Sequence, residues 1–249
     1  MTTADKSAAD AEGAPAETIE QRLALVMNGG VSLAVWMGGV ACEIDNVRRA
    51  SNGIPPRDGA TDEEKAVHDL WARAAQRVGV RVTVDVIAGT SAGGLNGVLL
   101  AAAIARGASL ADLKQLWLES GQMSAEALFR PQPQGVLSLM NGDFFHDQIT
   151  GALQKMAPTV YGRDISLIVT STALGPSSRP IRDSDGDYFS EADHRRRFHF
   201  SRHGSRPRYV QTATGTSCRI ARPSMTSLTT NRWRLPAAHR PLSRSHSRR

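Results

Sequence analysis

Over its first two hundred residues the chain alternates short apolar blocks with turn-forming ones. Arg22 to Met27 is an apolar run stopped by Asn28-Gly29-Gly30, the pattern of a buried strand closed by a turn. From Val31 to Arg49, the apolar residues Leu33, Val35, Trp36, Val40, Ile44 and Val47 recur close to helical spacing. Asn-Gly, Pro-Pro and Asp-Gly pairs mark Ser51 to Asp62 as a loop. A helix is predicted from Glu63 to Val78, with Val67, Leu70, Trp71 and Ala74 on one face. Val80 to Ala88, dense in β-branched residues, is the clearest strand. It runs into Gly89-Thr90-Ser91-Ala92-Gly93 and then into an Ala-rich helix from Leu95 to Arg106. Helical spacing continues from Leu110 to Leu118, around Ala125, and from Phe144 to Met156, and Asp164 to Leu174 is a third strand. Strands alternating with helices predict an α/β fold whose mainly parallel sheet is covered on both faces.

Charge divides the chain where the periodicity stops. All 24 acidic residues lie at or before Asp193, whereas Ser201 to Arg249 carries 11 Arg, no Lys and no acid. The net charge of +6 therefore combines an acidic body with a strongly basic tail. The expected division is a disordered leader over residues 1–20, a folded body over 21–200, and a basic disordered tail over 201–249. Two cysteines, Cys42 and Cys218, cannot build a disulfide framework. The polar, acidic N-terminus lacks a signal-peptide layout, and no apolar run reaches the length of a membrane span. A soluble cytoplasmic protein is the expectation.

The candidate chemistry lies at the two strand-to-helix junctions. Gly89-x-Ser91-x-Gly93 sits between the best strand and an apolar helix, the context a nucleophile elbow requires. Ser91 would project above the helix N-terminus, whose free N–H groups favour a developing oxyanion. The other junction, Asn28-Gly29-Gly30, offers backbone N–H groups uncovered by side chains at the same sheet edge. Neither junction has the lysine of a phosphate-binding loop or the spacing of a dinucleotide turn, and no His/Cys/Asp/Glu set has metal-ligand spacing. No cofactor or metal is expected.

LALVMNGGVSLAVWMGGVACEID followed by DVIAGTSAGGLNGVLLA resembles the patatin-like phospholipases, most closely those of actinobacterial type, from Arg22 to Phe200. The resemblance implies a three-layer α/β/α sandwich and a Ser–Asp dyad that hydrolyses lipid esters without a histidine. It makes Ser91 the nucleophile, set in an elbow of Gly89, Thr90, Ala92 and Gly93, with oxyanion-hole amides from Gly29 and Gly30. The family's Gly-Gly-Gly-x-Arg/Lys-Gly run is only partly kept: Asn28, Ser32 and Leu33 replace its first Gly, its basic residue and its last Gly. The dyad Asp is expected in a downstream Asp-Gly-Gly or Asp-Gly-Ala turn. Asp58-Gly59-Ala60 lies upstream of Ser91, and Asp185-Gly186 belongs to a polar turn, so the dyad Asp is unassigned. The Arg/Ser/Pro-rich tail has the composition of out-of-frame GC-rich DNA, as if the C-terminal part of the domain were missing or frame-shifted.

Three other readings stand beside this one. A Ser–His–Asp triad could draw on His194, His199 or His203, oriented by Asp164 or Asp183, although Glu191 to Arg202 reads as solvated surface. The chain could be an inactive remnant that only binds acyl groups or anionic lipid. The tail arginines could contact an anionic membrane surface; nucleic acid is disfavoured because only Tyr209 and Trp233 interleave with them.

Overall fold

The computed structural model describes residues 18–30, 32–111, 113, 129, 141–204, 206–213 and 216–218. The helices expected over Leu110–Leu118 and around Ala125 lie outside or almost wholly outside these residues, as do most of the leader and residues 219–249. The elements run β1 (Ile19–Met27), α1 (Ala34–Ser51), α2 (Asp62–Val78), β2 (Val80–Thr90), α3 (Ala92–Arg106), α4 (Gly142–Lys155), β3 (Ile165–Arg182), β4 (Tyr188–His203), β5 (Arg206–Ala213) and β6 (Thr216–Cys218). The strands form one sheet in the order β1-β2-β3-β4-β5-β6. β1, β2 and β3 are parallel, and every later pairing is antiparallel. The α/β class is as expected, with the parallel strands confined to the first half of the sheet.

This order has a consequence for the layers. Parallel strands added always on the same side, each by a right-handed crossover, place their connecting helices on one face. Accordingly α1, α3 and α4 share a single core with one face of the sheet. Met37, Ala41, Leu99, Leu100, Ile104 and Leu153 pack with Val84, Ile87, Ile165 and Leu167, and with the partly buried Leu23, Leu25, Met27 and Phe200. Because strand side chains alternate, the intervening residues point the other way. That face is mixed and more open: the exposed Val26 and the half-buried Val86 and Ile168 share it with polar groups, where Arg22 pairs with Asp85 at 2.6 Å, Thr83 Oγ1 donates to Glu20, and Ser166 Oγ lies 3.0 Å from His199 Nε2. The described residues thus supply the sheet and one helical layer of the sandwich.

Polar anchors fix the helical layer. Arg48 donates twice to Asp45 Oδ1, while Asp45 Oδ2 accepts from the Leu110 backbone N–H. Arg49 donates to the carbonyls of Gly107, Ala108 and Pro55, and burial pushes its guanidinium below its ordinary pKa. These bonds tie the end of α1 to the loop after α3; satisfied groups of this kind are costly to strip of one partner. α2 starts at a capping box, with Thr61 Oγ1 accepting from Glu64 N and Glu64 Oε2 accepting from Thr61 N.

The sheet runs past the boundary expected at Phe200. β4 continues to His203, and β5 and β6 extend it through Cys218. The charged strip Glu191–Arg202, read from sequence as solvated surface, is a strand. Phe198 and Phe200 pair with Val169 and Leu167, while Arg197 and His199 alternate with them. β3 is also longer than expected. It passes Thr170, which is level with Thr90, and forms a long arm with β4 beyond the parallel edge. A register shift between Thr172 and Ser177 accommodates Gly175 and Pro176, residues that interrupt a regular ladder.

Candidate functional site

Both glycine-rich junctions lie at the C-terminal edge of β1 and β2, where open parallel sheets place their ligands. β2 ends at Thr90 and α3 starts at Ala92, so one residue makes the entire turn. That residue, Ser91, has φ 56° and ψ −126°. It is the one non-glycine residue with positive φ among those described, a conformation L-residues hold only when their surroundings enforce it. Its side chain is exposed, and its carbonyl accepts the Leu95 N–H as the first turn of α3 begins.

The neighbouring glycines are required by close approach. A Cβ on Gly93 would fall 2.2 Å from the Met27 carbonyl oxygen, and one on Gly89 would fall 2.5 Å from the Gly93 oxygen. The elbow is therefore folded against itself and wedged against the end of β1. A Cβ on Gly29 would lie 2.8 Å from Ser91 Cβ and 3.5 Å from Ser91 Oγ, so the β1 junction passes directly beside the hydroxyl. Gly30, with φ 149°, occupies a region essentially reserved for glycine. Thr90 Oγ1 and Thr170 Oγ1 are 2.7 Å apart, joining the tips of β2 and β3.

Sequence reasoning overlooked the residue that clamps the junctions. Asn96 Nδ2 donates to the carbonyls of both Ala34 and Ala92, the first residues of α1 and α3, from a fully buried position. Its signal in the sequence is a single amide within an otherwise apolar helix.

The structure does not bring the other candidates to Ser91. The Asp58 loop is at the opposite edge, since the neighbouring Asn52 donates to Val82 O at the start of β2. Asp185 and Gly186 form the tip of the β3–β4 arm, where Asp183 Oδ1 accepts from the N–H groups of Asp185 and Asp187. His194 Nδ1 is engaged with Ala173 O, His199 with Ser166, and His203 lies beside Asp164. Among the described residues no carboxylate or imidazole is hydrogen-bonded to Ser91 Oγ, and no set of three metal-ligating side chains comes together. A cavity of about 530 Å³ between α1 and α2, bounded by Val35, Cys42, Arg57, Val67 and His68, does not include Ser91, Gly29 or Gly30.

Comparison with known proteins gives the family. The model of the family described as patatin-like phospholipase matches residues 25–218, a range that takes in both junctions and the strands through β6. The uncharacterized membrane protein Rv3479 of Mycobacterium tuberculosis (strain ATCC 25618 / H37Rv) is 34% identical over 204 residues, which cover 74% of this chain. The chain spans only 18% of that relative's length. No solved structure gives a significant match. With the family match extending over most of its length and both glycine junctions inside it, the chain belongs to the patatin-like phospholipase family.

Proposed function

We propose that this chain is a lipid acyl hydrolase domain in which Ser91 is the nucleophile and the Gly29 and Gly30 N–H groups hold the oxyanion. The observation that carries the reading is the enforced positive φ of Ser91, with Gly29 lying against its side chain. Ser91 Oγ attacks the ester carbonyl carbon and gives up its proton, which ends on the departing alcohol oxygen as the C–O bond breaks. Water then cleaves the acyl-enzyme to release the fatty acid. Backbone donors fixed at the sheet edge suit this step because they need no reorganisation as charge develops; each is worth about 2.7–4 kcal/mol. The M. tuberculosis relative is described as a membrane protein, and among the described residues of this chain no helix is long and apolar enough to cross a membrane. We accordingly place the reaction at a lipid surface, reached peripherally.

A second reading has its own support: no described carboxylate or imidazole is hydrogen-bonded to Ser91 Oγ, and a serine without a base is a weak nucleophile. On that reading the fold persists as an acyl- or lipid-binding remnant. A fluorophosphonate probe separates the two. Labelling of the folded protein that disappears in Ser91→Ala supports the hydrolase, whereas a folded wild-type protein that takes up no label is the remnant.

A further inference from the structure

We propose that the rim of the Ser91 site is a membrane-docking surface, with Trp36, Leu33 and Val40 of the first turns of α1 inserting into the lipid. This deepens the hydrolase reading and rests on it for the substrate, a lipid ester still in its bilayer. The first observation is a gap in the charge pattern: from Leu23 through Cys42 the chain has no charged side chain. Part of this uncharged segment is core, but part is not. Leu33, Trp36 and Val40 are 48%, 66% and 37% exposed.

These residues adjoin the Ser91 junctions along one line of α1. Leu33, Trp36 and Val40 follow one another at three- and four-residue intervals and so form a single outward stripe beside the core residues Met37 and Ala41. The Leu33 N–H donates to Gly30 O, and its Cδ1 would be 3.2 Å from a Cβ on Gly30. The stripe is thus continuous with the loop that passes beside Ser91. It ends at Glu43, whose carboxylate accepts the indole N–H of Trp71. The Trp36 indole has no such partner among the described residues, which suits a ring whose body enters lipid while its N–H meets the headgroups. The β3–β4 arm, extending from the same sheet edge, adds the exposed Leu174.

A lipid surface fits this rim better than a protein would. A protein partner covering the stripe would roof the serine, whereas a bilayer brings ester carbonyls to it at the depth of the headgroup boundary. Complementary charge is also present, because residues 201–249 carry 11 Arg and no acid that could draw the chain to anionic headgroups. The apolar rim predicts a component of binding that salt does not remove.

The test is sedimentation of the full chain with phosphatidylcholine vesicles, alone or mixed with phosphatidylglycerol, at low and high salt. Wild type should bind both vesicle types and retain binding at high salt. Trp36→Ser combined with Val40→Ser should lower that salt-resistant binding at least tenfold with an unchanged circular dichroism spectrum. Brominated lipids should quench the part of the tryptophan emission that Trp36→Phe lacks, a readout that does not depend on the polar variant folding. Binding confined to anionic vesicles and lost in salt would overturn the proposal in favour of the arginines alone. So would an unchanged Trp36/Val40 variant, or a wild-type dimer that this variant makes monomeric without any vesicle binding. Ser91→Ala should bind like wild type, so vesicle binding that persists when fluorophosphonate labelling fails would sink the hydrolase reading and leave the docking surface standing.

Discussion

The two strand-to-helix junctions turn the chain at the same sheet edge by opposite means. At β2–α3 a single residue makes the turn, and its side chain is driven into the open by a backbone geometry it would not choose. At β1–α1 several residues make the turn, two of them glycines, and what reaches the neighbouring junction is bare main chain. One junction presents a side chain and the other withholds them. The contacts between them are reciprocal: Gly93 admits the Met27 carbonyl, and Gly29 admits Ser91. Neither junction could keep its geometry if the other were moved by an ångström, because the packed backbone has no flexible side chain to yield.

The comparison can be broken in graded ways. Ser91→Ala should have the largest effect, abolishing fluorophosphonate labelling and lowering ester hydrolysis by on the order of 10³-fold or more, with little change in melting temperature. Gly93→Ala forces a methyl into the Met27 backbone and should destabilise the fold by about 3 kcal/mol or more in urea titration. Gly29→Ala presses on Ser91 Cβ at 2.8 Å and the Thr90 carbonyl at 3.3 Å, less tightly than Gly93→Ala on its backbone, and should cost about 1–3 kcal/mol while reducing turnover by roughly 10²–10³-fold. Loss of stability equal to that of Gly93→Ala would show that Gly29 is a packing residue instead.

Smaller effects sharpen the same contrast from outside the junctions. Asn96→Leu leaves the Ala34 carbonyl without its buried donor and should cost about 1–3 kcal/mol. It should slow labelling of Ser91 as well, because the starts of α1 and α3 are no longer held together. Thr61→Ala removes the α2 cap, away from both junctions, and should cost about 1 kcal/mol without changing labelling. The backbone hydrogen bond from Thr61 holds Glu64 below its usual pKa. Its stabilisation is therefore present above the unfolded carboxylate range and fades as pH falls through the folded value, so Glu64→Gln should differ from wild type at neutral pH and converge with it in acid.

How much of this was readable beforehand varied along the chain. β1, α1, α2, β2 and α3 lie within a few residues of where hydrophobic spacing and turn chemistry predict them. Each buries a regular stripe, and a stripe is a local property. β4 is hidden from sequence reading because most of its residues are charged, histidine or serine. A strand whose outer face is open and whose hydrogen bonds go to a partner needs few apolar residues, and Phe198 and Phe200 were the only inward signal. β5 and β6 share that disguise: they add to the sheet by main-chain pairing, which arginine-rich sequence does not forbid.

At the candidate site, the Gly89–Gly93 spacing identified the elbow and the glycines at 29 and 30 identified its neighbour. That both would lie at one sheet edge was legible too; the close contact of Gly29 with Ser91 was not, because it depends on the parallel register of Met27 with Gly89. The amide clamp of Asn96 escaped notice for the same reason, since its acceptors lie in two helices.

Local sequence was sufficient for the elements, the two turns and the identity of the exposed serine, since each is decided by residues close in the chain. Tertiary structure decided the rest. It set Gly29 against Ser91, kept Asp58 and Asp185 away from it, and brought α1, α3 and α4 onto one face of the sheet. Those outcomes depend on which strand lies beside which, and strand order is settled by burying apolar faces over the whole chain.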